Sequence, residues 1–377
     1  MPLLTRLVFV FSLVFVLGLH PGLAQNNQPD LFTKKDSTSF YYKNKRLIFP
    51  LIALSKETSW VFGVSNVFIF KTNKRDSTLR LSTMPTGILY SLNNQIIVGW
   101  AANIWLPKER YNIRFENTFS KFPDKFWGLG NDTDNKAYES YTYTQFYINP
   151  QFYRKVAKDF FLGLGFDYQR VFNILYEPNG YFVQEKVLGV YDQSSYSVLG
   201  YSFIVMIDSR NHTYVPNKGE LFRLRFTNFD KRAGSDYTFQ TIEIDYRKFI
   251  KITNRSTLAL HSLGVFNFGD IPFRNLAQLG GSNIMRGYYL GRYRDEKFWA
   301  AQAEYRFPIK GRFGGVGFIG TGQVMNTFSD FSLSKFKPSV GAGLRYAVLK
   351  HDKLNLRFDF GVGNNSLNYY ILLAESF

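Results

Sequence analysis

Runs of roughly ten residues that alternate apolar with polar side chains, repeated from about Lys45 to Phe377, leave this chain few ways to fold. Successive side chains of a strand point to opposite faces, so a period of two sorts each run into two surfaces. In the stretch 353–361, Leu354, Leu356, Phe358 and Phe360 share one face, while Lys353, Asn355, Arg357 and Asp359 share the other. Trp299, Ala301, Ala303, Tyr305 and Phe307 oppose Gln302, Glu304 and Arg306 in the same way, as Phe222, Leu224 and Phe226 oppose Arg223, Arg225 and Thr227. Inside a soluble sandwich each such charge would cost several kcal/mol to bury, whereas a wet lumen accommodates it. One face therefore meets lipid and the other water, the pattern of a transmembrane barrel. Aromatic residues, 18% of the chain, supply the interfacial girdles such a barrel needs.

Divided at its turn residues, the chain is expected to form sixteen antiparallel strands over 46–54, 61–70, 77–92, 95–105, 111–119, 140–154, 159–171, 197–207, 220–229, 237–249, 257–268, 298–307, 313–324, 339–348, 353–361 and 367–377. An even count leaves both ends on the periplasmic side. The longest connections, 121–139, 173–196 and 269–297, then lie outside, and most inner turns are short. The connection 208–219 is the exception: it falls on the inner side yet exceeds a tight turn.

Arg6, the apolar run from Leu7 to Leu19 and the small residues around Ala24 read as an export signal over residues 1–24. A polar lead-in over 25–44 and a barrel over 45–377 complete the expected organisation, which places the chain in a bacterial outer membrane. No cysteine is present, so neither a disulfide framework nor a lipid-modified cysteine is available. The net charge of +17 is accounted for by Lys and Arg on solvated loops, with attraction to anionic outer-membrane lipids as the functional alternative. Export excludes nucleic acid as a partner.

The connection 269–297 contains Leu279-Gly280-Gly281-Ser282-Asn283-Ile284-Met285-Arg286-Gly287-Tyr288, a glycine-rich run with a lone arginine among apolar residues. Met285-Arg286-Gly287-Tyr288 resembles the inward-folding loop motif of the bacterial surface antigen family, the barrels of the BamA and TamA type. Four further pieces occur in the family's order: Asp208-Ser209-Arg210-Asn211 with Pro216 and Gly219, Ala303-Glu304-Tyr305-Arg306-Phe307-Pro308, Gly341-Ala342-Gly343-Leu344-Arg345, and a closing strand ending Ala374-Glu375-Ser376-Phe377. The resemblance spans the whole barrel and implies an outer loop folded inward, with Arg286 packed against the inner wall. A lumenal guanidinium seeks carboxylates, and strand parity points Glu304 and Asp359 inward as candidate partners. The family usually carries an Asp in a Phe-x-Asp-x-Gly pattern; here Phe318-Ile319-Gly320-Thr321-Gly322 has Gly320 instead.

The last run places Leu367, Tyr369, Ile371, Leu373 and Phe377 on one face, and Phe377 is the expected C-terminal recognition residue for assembly machinery. Pro50 removes a ladder donor from the first strand, so the seam between first and last strands is expected to be weak. Family members fold client barrels into the outer membrane or move polypeptides across it, capturing clients with tandem periplasmic POTRA domains. The lead-in has no room for those, which implies work with periplasmic partner proteins or a changed role. A passive pore or structural surface protein is the alternative.

Catalysis has thin support. His212 and His351 fall in turns, and His261 has only Glu243 or Asp245 as neighbours across the sheet, an arrangement more often structural than catalytic. No metal-ligand cluster, phosphate-binding loop or nicotinamide fingerprint is present, so no enzyme activity, cofactor or metal is expected, and a lipid-acting barrel enzyme is the least favoured reading.

Overall fold

The computed structural model describes residues 41–180, 182, 195–213, 215–349, 354–373 and 375–377. The expected export signal, most of the lead-in, and His351 lie outside the described residues. The strands are β1 (Lys45–Ser55), β2 (Ser59–Phe70), β3 (Ser82–Ser91), β4 (Ile96–Trp105), β5 (Tyr111–Phe126), β6 (Glu139–Ala157), β7 (Phe160–Leu175), β8 (Ser195–Asp208) and β9 (Gly219–Phe229). They continue as β10 (Phe239–Lys251), β11 (Thr257–Gly269), β12 (Ala277–Leu279), β13 (Tyr293–Asp295), β14 (Lys297–Lys310), β15 (Phe313–Met325), β16 (Lys337–Leu349), β17 (Leu354–Gly363) and β18 (Ser366–Leu373). Sixteen of these close into an antiparallel barrel, and β12 pairs with β13 as a separate hairpin within the connection from β11 to β14.

Alternation decides which side chains go where. Ile48, Phe62, Val64, Ile88, Trp100, Leu164, Phe203, Ile319 and Phe360 project outward and are exposed, an apolar belt that only lipid can cover favourably. Gln145, Asn149, Gln169, Asp245, Asn267, Glu304 and Gln323 on alternate positions are buried inside. Beside the seam the inner wall departs from this polarity, because Leu51, Ala53, Val61, Leu89 and Ile97 also face inward. They border an apolar cavity shared with Ile284 and Leu290 of the folded-in loop, so loop side chains rather than water cover this part of the wall.

Three of the differences from the alternation pattern bear on the interior. The strand expected from residue 77 begins at Ser82, and 71–81 folds under the barrel instead. Leu79 sits in a buried cluster with Trp105, Tyr153, Phe161, Ile204, Met206 and Leu221. Arg80 stacks 4.5 Å from the Trp105 ring and donates to the Asp208 carboxylate at 2.9 Å. Asp208 also receives Arg210 at 2.9 Å, which makes the long connection 209–218 a braced turn tied to this floor. The second difference is β5, which runs on to Phe126 through Pro123, paired with Thr142, so the connection expected from 121 starts at 127. Third, the last strand stops at Leu373 instead of continuing to Phe377.

The seam is sparsely paired among the described residues. β1 matches β2 residue by residue from Lys45 to Ser55, yet its described pairing with β18 consists of Leu54↔Ile371. Lys45–Ala53 thus present an edge without a strand on that side among the described residues, and Pro50 lies within it.

Two obstructions in series, the floor at 71–81 and the hairpin β12–β13 above it, lead to a specific expectation for single-channel recording. Deleting 277–295 alone, or replacing Leu79 and Arg80 with glycine alone, leaves conductance low, and combining the changes raises it steeply. A large steady current through the unaltered barrel would contradict this arrangement.

Candidate functional site

The loop 270–296 enters the lumen as a β-hairpin with Ala277↔Asp295, Gln278↔Arg294 and Leu279↔Tyr293 in register. Its apolar residues Ile284, Met285, Tyr288 and Tyr293 pack with Leu263, Val265, Phe298, Ala300 and Val324 of the wall. At its tip, Met285 takes a left-handed φ of 57° and Gly287 a φ of 117°. A Cβ on Gly287 would meet the Val362 backbone at 2.7 Å, and one on Gly361 would meet the Arg286 carbonyl carbon at 2.7 Å. Main chain therefore lies directly on main chain, and only glycine on both sides permits it.

This contact delivers Arg286 to the wall. Its Nη1 donates to Asp359 Oδ2 at 2.7 Å, and its Nη2 donates to Glu304 Oε2 at 2.5 Å. Arg286, Glu304 and Asp359 are all inaccessible to solvent or nearly so. Gly320, standing where the family pattern has an Asp, faces Met285: a Cβ there would meet Ala301 O and Gln302 Cβ at 3.2 Å, with Met285 Sδ at 3.6 Å. The face of Phe318 receives the guanidinium instead, 3.6 Å from the ring centroid. Ser339 Oγ donates to the Arg286 carbonyl. Tyr288 Oη donates to Pro338 O at 2.6 Å and accepts from Asn364 N at 2.6 Å, so the motif is held on both flanks.

Charges around the latch form one cluster. Arg306 Nε donates to Glu304 Oε1 at 2.7 Å, Arg345 Nη1 to Asp359 Oδ1 at 2.5 Å, and Arg357 Nη1 to Asp359 Oδ2 at 3.2 Å. Arg345 also reaches Glu375 at 2.8 Å. Four arginines (Arg286, Arg306, Arg345, Arg357) thus face three side-chain carboxylates (Glu304, Asp359, Glu375), and Arg306 Nη2 also donates to the Phe377 main-chain oxygen at 3.1 Å.

The hairpin's other side holds the opposite wall, through residues the sequence did not single out. Arg274 Nη1 donates to Asp124 Oδ2 at 3.1 Å and to Tyr141 Oη at 2.8 Å, its Nη2 donates to Tyr143 Oη at 2.6 Å, and Tyr289 Oη donates to Asp124 Oδ1 at 3.1 Å. Glu57, in the β1–β2 turn, accepts from Leu290 N at 3.0 Å, and burial pushes its carboxyl above the usual carboxylate range. Overhead, Asn131 of the connection 127–138 exchanges two hydrogen bonds with Val324 on β15, at 2.6 and 3.1 Å, crossing the mouth. The phase of Asp124 on β5 would have signalled its role had the alternation pattern not been ended at 119.

His261 lies in the lumen, Nε2 3.1 Å from Asp245 Oδ1 and Nδ1 3.2 Å from Gln302 Nε2, with the Phe377 ring tilted against it at 4.8 Å. It faces neither lipid nor a rim. Among the described residues no group of three or more His, Cys, Asp or Glu is placed to hold a metal ion. Phe377 is buried inside the barrel rather than sharing the outward face of Leu367 and Tyr369, because the chain turns inward after β18.

Removing one member of a buried ion pair typically costs about 3–5 kcal/mol, because the remaining charge is stranded. The two sides of the latch are unequal. Glu304→Gln removes a carboxylate that three arginines approach and is expected to lower unfolding stability by about 3–5 kcal/mol. Arg286→Met leaves Glu304 paired with Arg306 and Asp359 paired with Arg345 and Arg357, and is expected to cost less. Urea titration of the folded barrel in lipid or detergent, followed by its heat-modifiable mobility, checks the order; a larger loss for Arg286→Met would refute it.

Residues 85–369 match the Omp85 superfamily domain. A search of curated proteins found no match. Among solved structures, the chain is similar to BamA from Haemophilus ducreyi lacking POTRA domains 1–3, with 12% identity and a TM-score of 0.59 over 88% of this chain and 70% of that one. It is also similar to CdiB from Acinetobacter baumannii, with 10% identity and a TM-score of 0.55 over 89% of this chain and 65% of that one. CdiB from Escherichia coli gives 10% identity and a TM-score of 0.57 over 87% and 62%. The chain therefore spans less than two thirds of the length of either CdiB structure. With a superfamily match over most of its length and a closed sixteen-stranded barrel to accompany it, this chain belongs to the Omp85 superfamily of outer-membrane β-barrels.

Proposed function

We propose that this barrel assembles client proteins into the bacterial outer membrane, or passes polypeptides through it, together with periplasmic partner proteins. The single observation that carries the reading is the seam: among the described residues one pair, Leu54↔Ile371, joins β1 to β18, while every other neighbouring strand pair has an extended register. An edge strand with unpaired N–H and C=O groups is a template for an incoming strand. The lumen supports the same route from the other direction, since the hairpin above and Leu79 and Arg80 below obstruct axial passage. A client then meets the wall of the barrel rather than a hole through it.

Passive conduction fits less well, because a pore needs the open lumen that these two segments fill. Lipid chemistry has no support in the placement of His261, which is enclosed by Asp245, Gln302 and Phe377. In this reading, residues 1–24 direct export and outer-membrane lipids surround the apolar belt.

Depletion of the protein is expected to change the outer-membrane proteome, with β-barrel or surface-exposed proteins reduced; an unchanged proteome counts heavily against the assembly reading. The seam itself is tested with Leu54→Cys/Ile371→Cys, a clean pair because the chain has no other cysteine. Oxidation should abolish complementation of the depleted strain and reduction should restore it. Full activity of the oxidised barrel would sink the seam route.

A further inference from the structure

After β18 the chain turns into the lumen. In the register set by Leu54↔Ile371, residues 375–377 continued as a strand would lie against Ile48, Phe49 and Pro50, and Pro50 offers no N–H to such a partner. Instead all three residues are held at the end of the lumen that carries the short turns. The Glu375 carboxylate accepts from Arg345 Nε at 2.8 Å and from Asn355 Nδ2 at 2.7 Å, with Arg306 Nε at 3.9 Å. Ser376 Oγ donates to Glu304 Oε2 at 3.1 Å. Phe377 O accepts from Arg306 Nη2 at 3.1 Å. The Phe377 ring fills a slot between His261 at 4.8 Å and Phe249 at 6.2 Å, with the Arg306 guanidinium 5.3 Å away.

Three of the holders have another reason to stay where they are. Arg345 is fixed by Asp359, Arg306 by Glu304, and His261 by Asp245 and Gln302. The seat therefore persists when its occupant withdraws, as a preorganised binding site does. It presents a guanidinium and an amide for a carboxylate, a carboxylate for a hydroxyl, a cation for a main-chain carbonyl, and an aromatic slot two residues further on. That is a recognition pattern for an extended peptide of the type acidic–polar–aromatic.

We propose that this seat is a peptide-binding site, occupied in cis by Glu375-Ser376-Phe377 and open in trans to client segments of the same acidic–polar–aromatic type. The proposal deepens the assembly reading by naming a class of substrate, and it rests on that reading only for its biological use. Arrival of a client segment would free residues 375–377 and withdraw the Ser376 hydroxyl from Glu304, the carboxylate that also holds Arg286. Binding at the seat and the state of the loop latch thus share one residue.

The test uses the full chain in lipid vesicles with Ser376→Cys, which keeps both Glu375 and Phe377 and introduces the chain's sole thiol. Maleimide labelling is expected to be slow because the position is buried, and to accelerate with the peptide Leu-Leu-Ala-Glu-Ser-Phe. A peptide with Gln in place of Glu should bind about tenfold more weakly or worse, the scale of one lost charge-assisted hydrogen bond. Acceleration by a scrambled peptide to the same extent, or none by any peptide, overturns the proposal. A second variant guards against altered folding: Phe249→Cys/Phe377→Cys, oxidised, should exclude a fluorescent form of the peptide and admit it on reduction. Equal binding in both states also overturns it. A negative peptide result leaves the depletion experiment to decide the assembly reading independently, and an unchanged proteome would leave peptide binding standing as a property of the seat.

Discussion

The buried pairing of Arg286 with Glu304 and Asp359 organises the interior of this barrel. A guanidinium out of contact with water is tolerated only where carboxylates meet it at close range, and the structure supplies two at 2.5 and 2.7 Å. Meeting them requires the loop backbone to touch β17, which Gly287 and Gly361 allow. It also requires the rest of the hairpin to cross the lumen, where Arg274 and Tyr289 find Asp124 on the far wall. Filling of the lumen and the meeting of the loop with the apolar lining of β1–β4 follow from a loop committed to that one contact.

The barrel was legible because its governing signal is local and repeated. A period of two over sixteen runs survives individual errors, and lipid on one side with water on the other leaves the alternation no competing explanation. Glu304 and Asp359 were legible for the same reason, since strand phase alone puts them inside. What escaped were the places where chain leaves the sheet. Leu79 and Arg80 continue the alternation of the strand that follows them, so nothing in the pattern marks them as a floor. The segment from 121, expected as a connection, instead extends β5 through Pro123, opposite Thr142. Phe377 keeps the phase of β18 on paper, but Arg306, Arg345 and Glu304, distant in sequence, draw the last residues inward.

Gly320 illustrates how a departure from the family pattern is absorbed. The acid expected there is absent, and Met285 and the face of Phe318 occupy its neighbourhood instead. Asp359 supplies the second carboxylate from two strands further around the barrel than Gly320. The charge requirement of the guanidinium is met while its position in the wall has changed. Carboxylate supply, rather than the identity of one position, is the constraint the interior respects.

The latch also ties distant parts of the chain into one wall. Arg286 precedes Glu304 by 18 residues and Asp359 by 73, and Asp359 lies on the next-to-last strand of the barrel. The full counter-charge and the glycine-on-glycine contact with Gly361 therefore exist only where β14 and β17 stand in the same cylinder. A docked loop is thus the chemical signature of a complete wall, and a wall without β17 would offer the guanidinium one carboxylate in place of two.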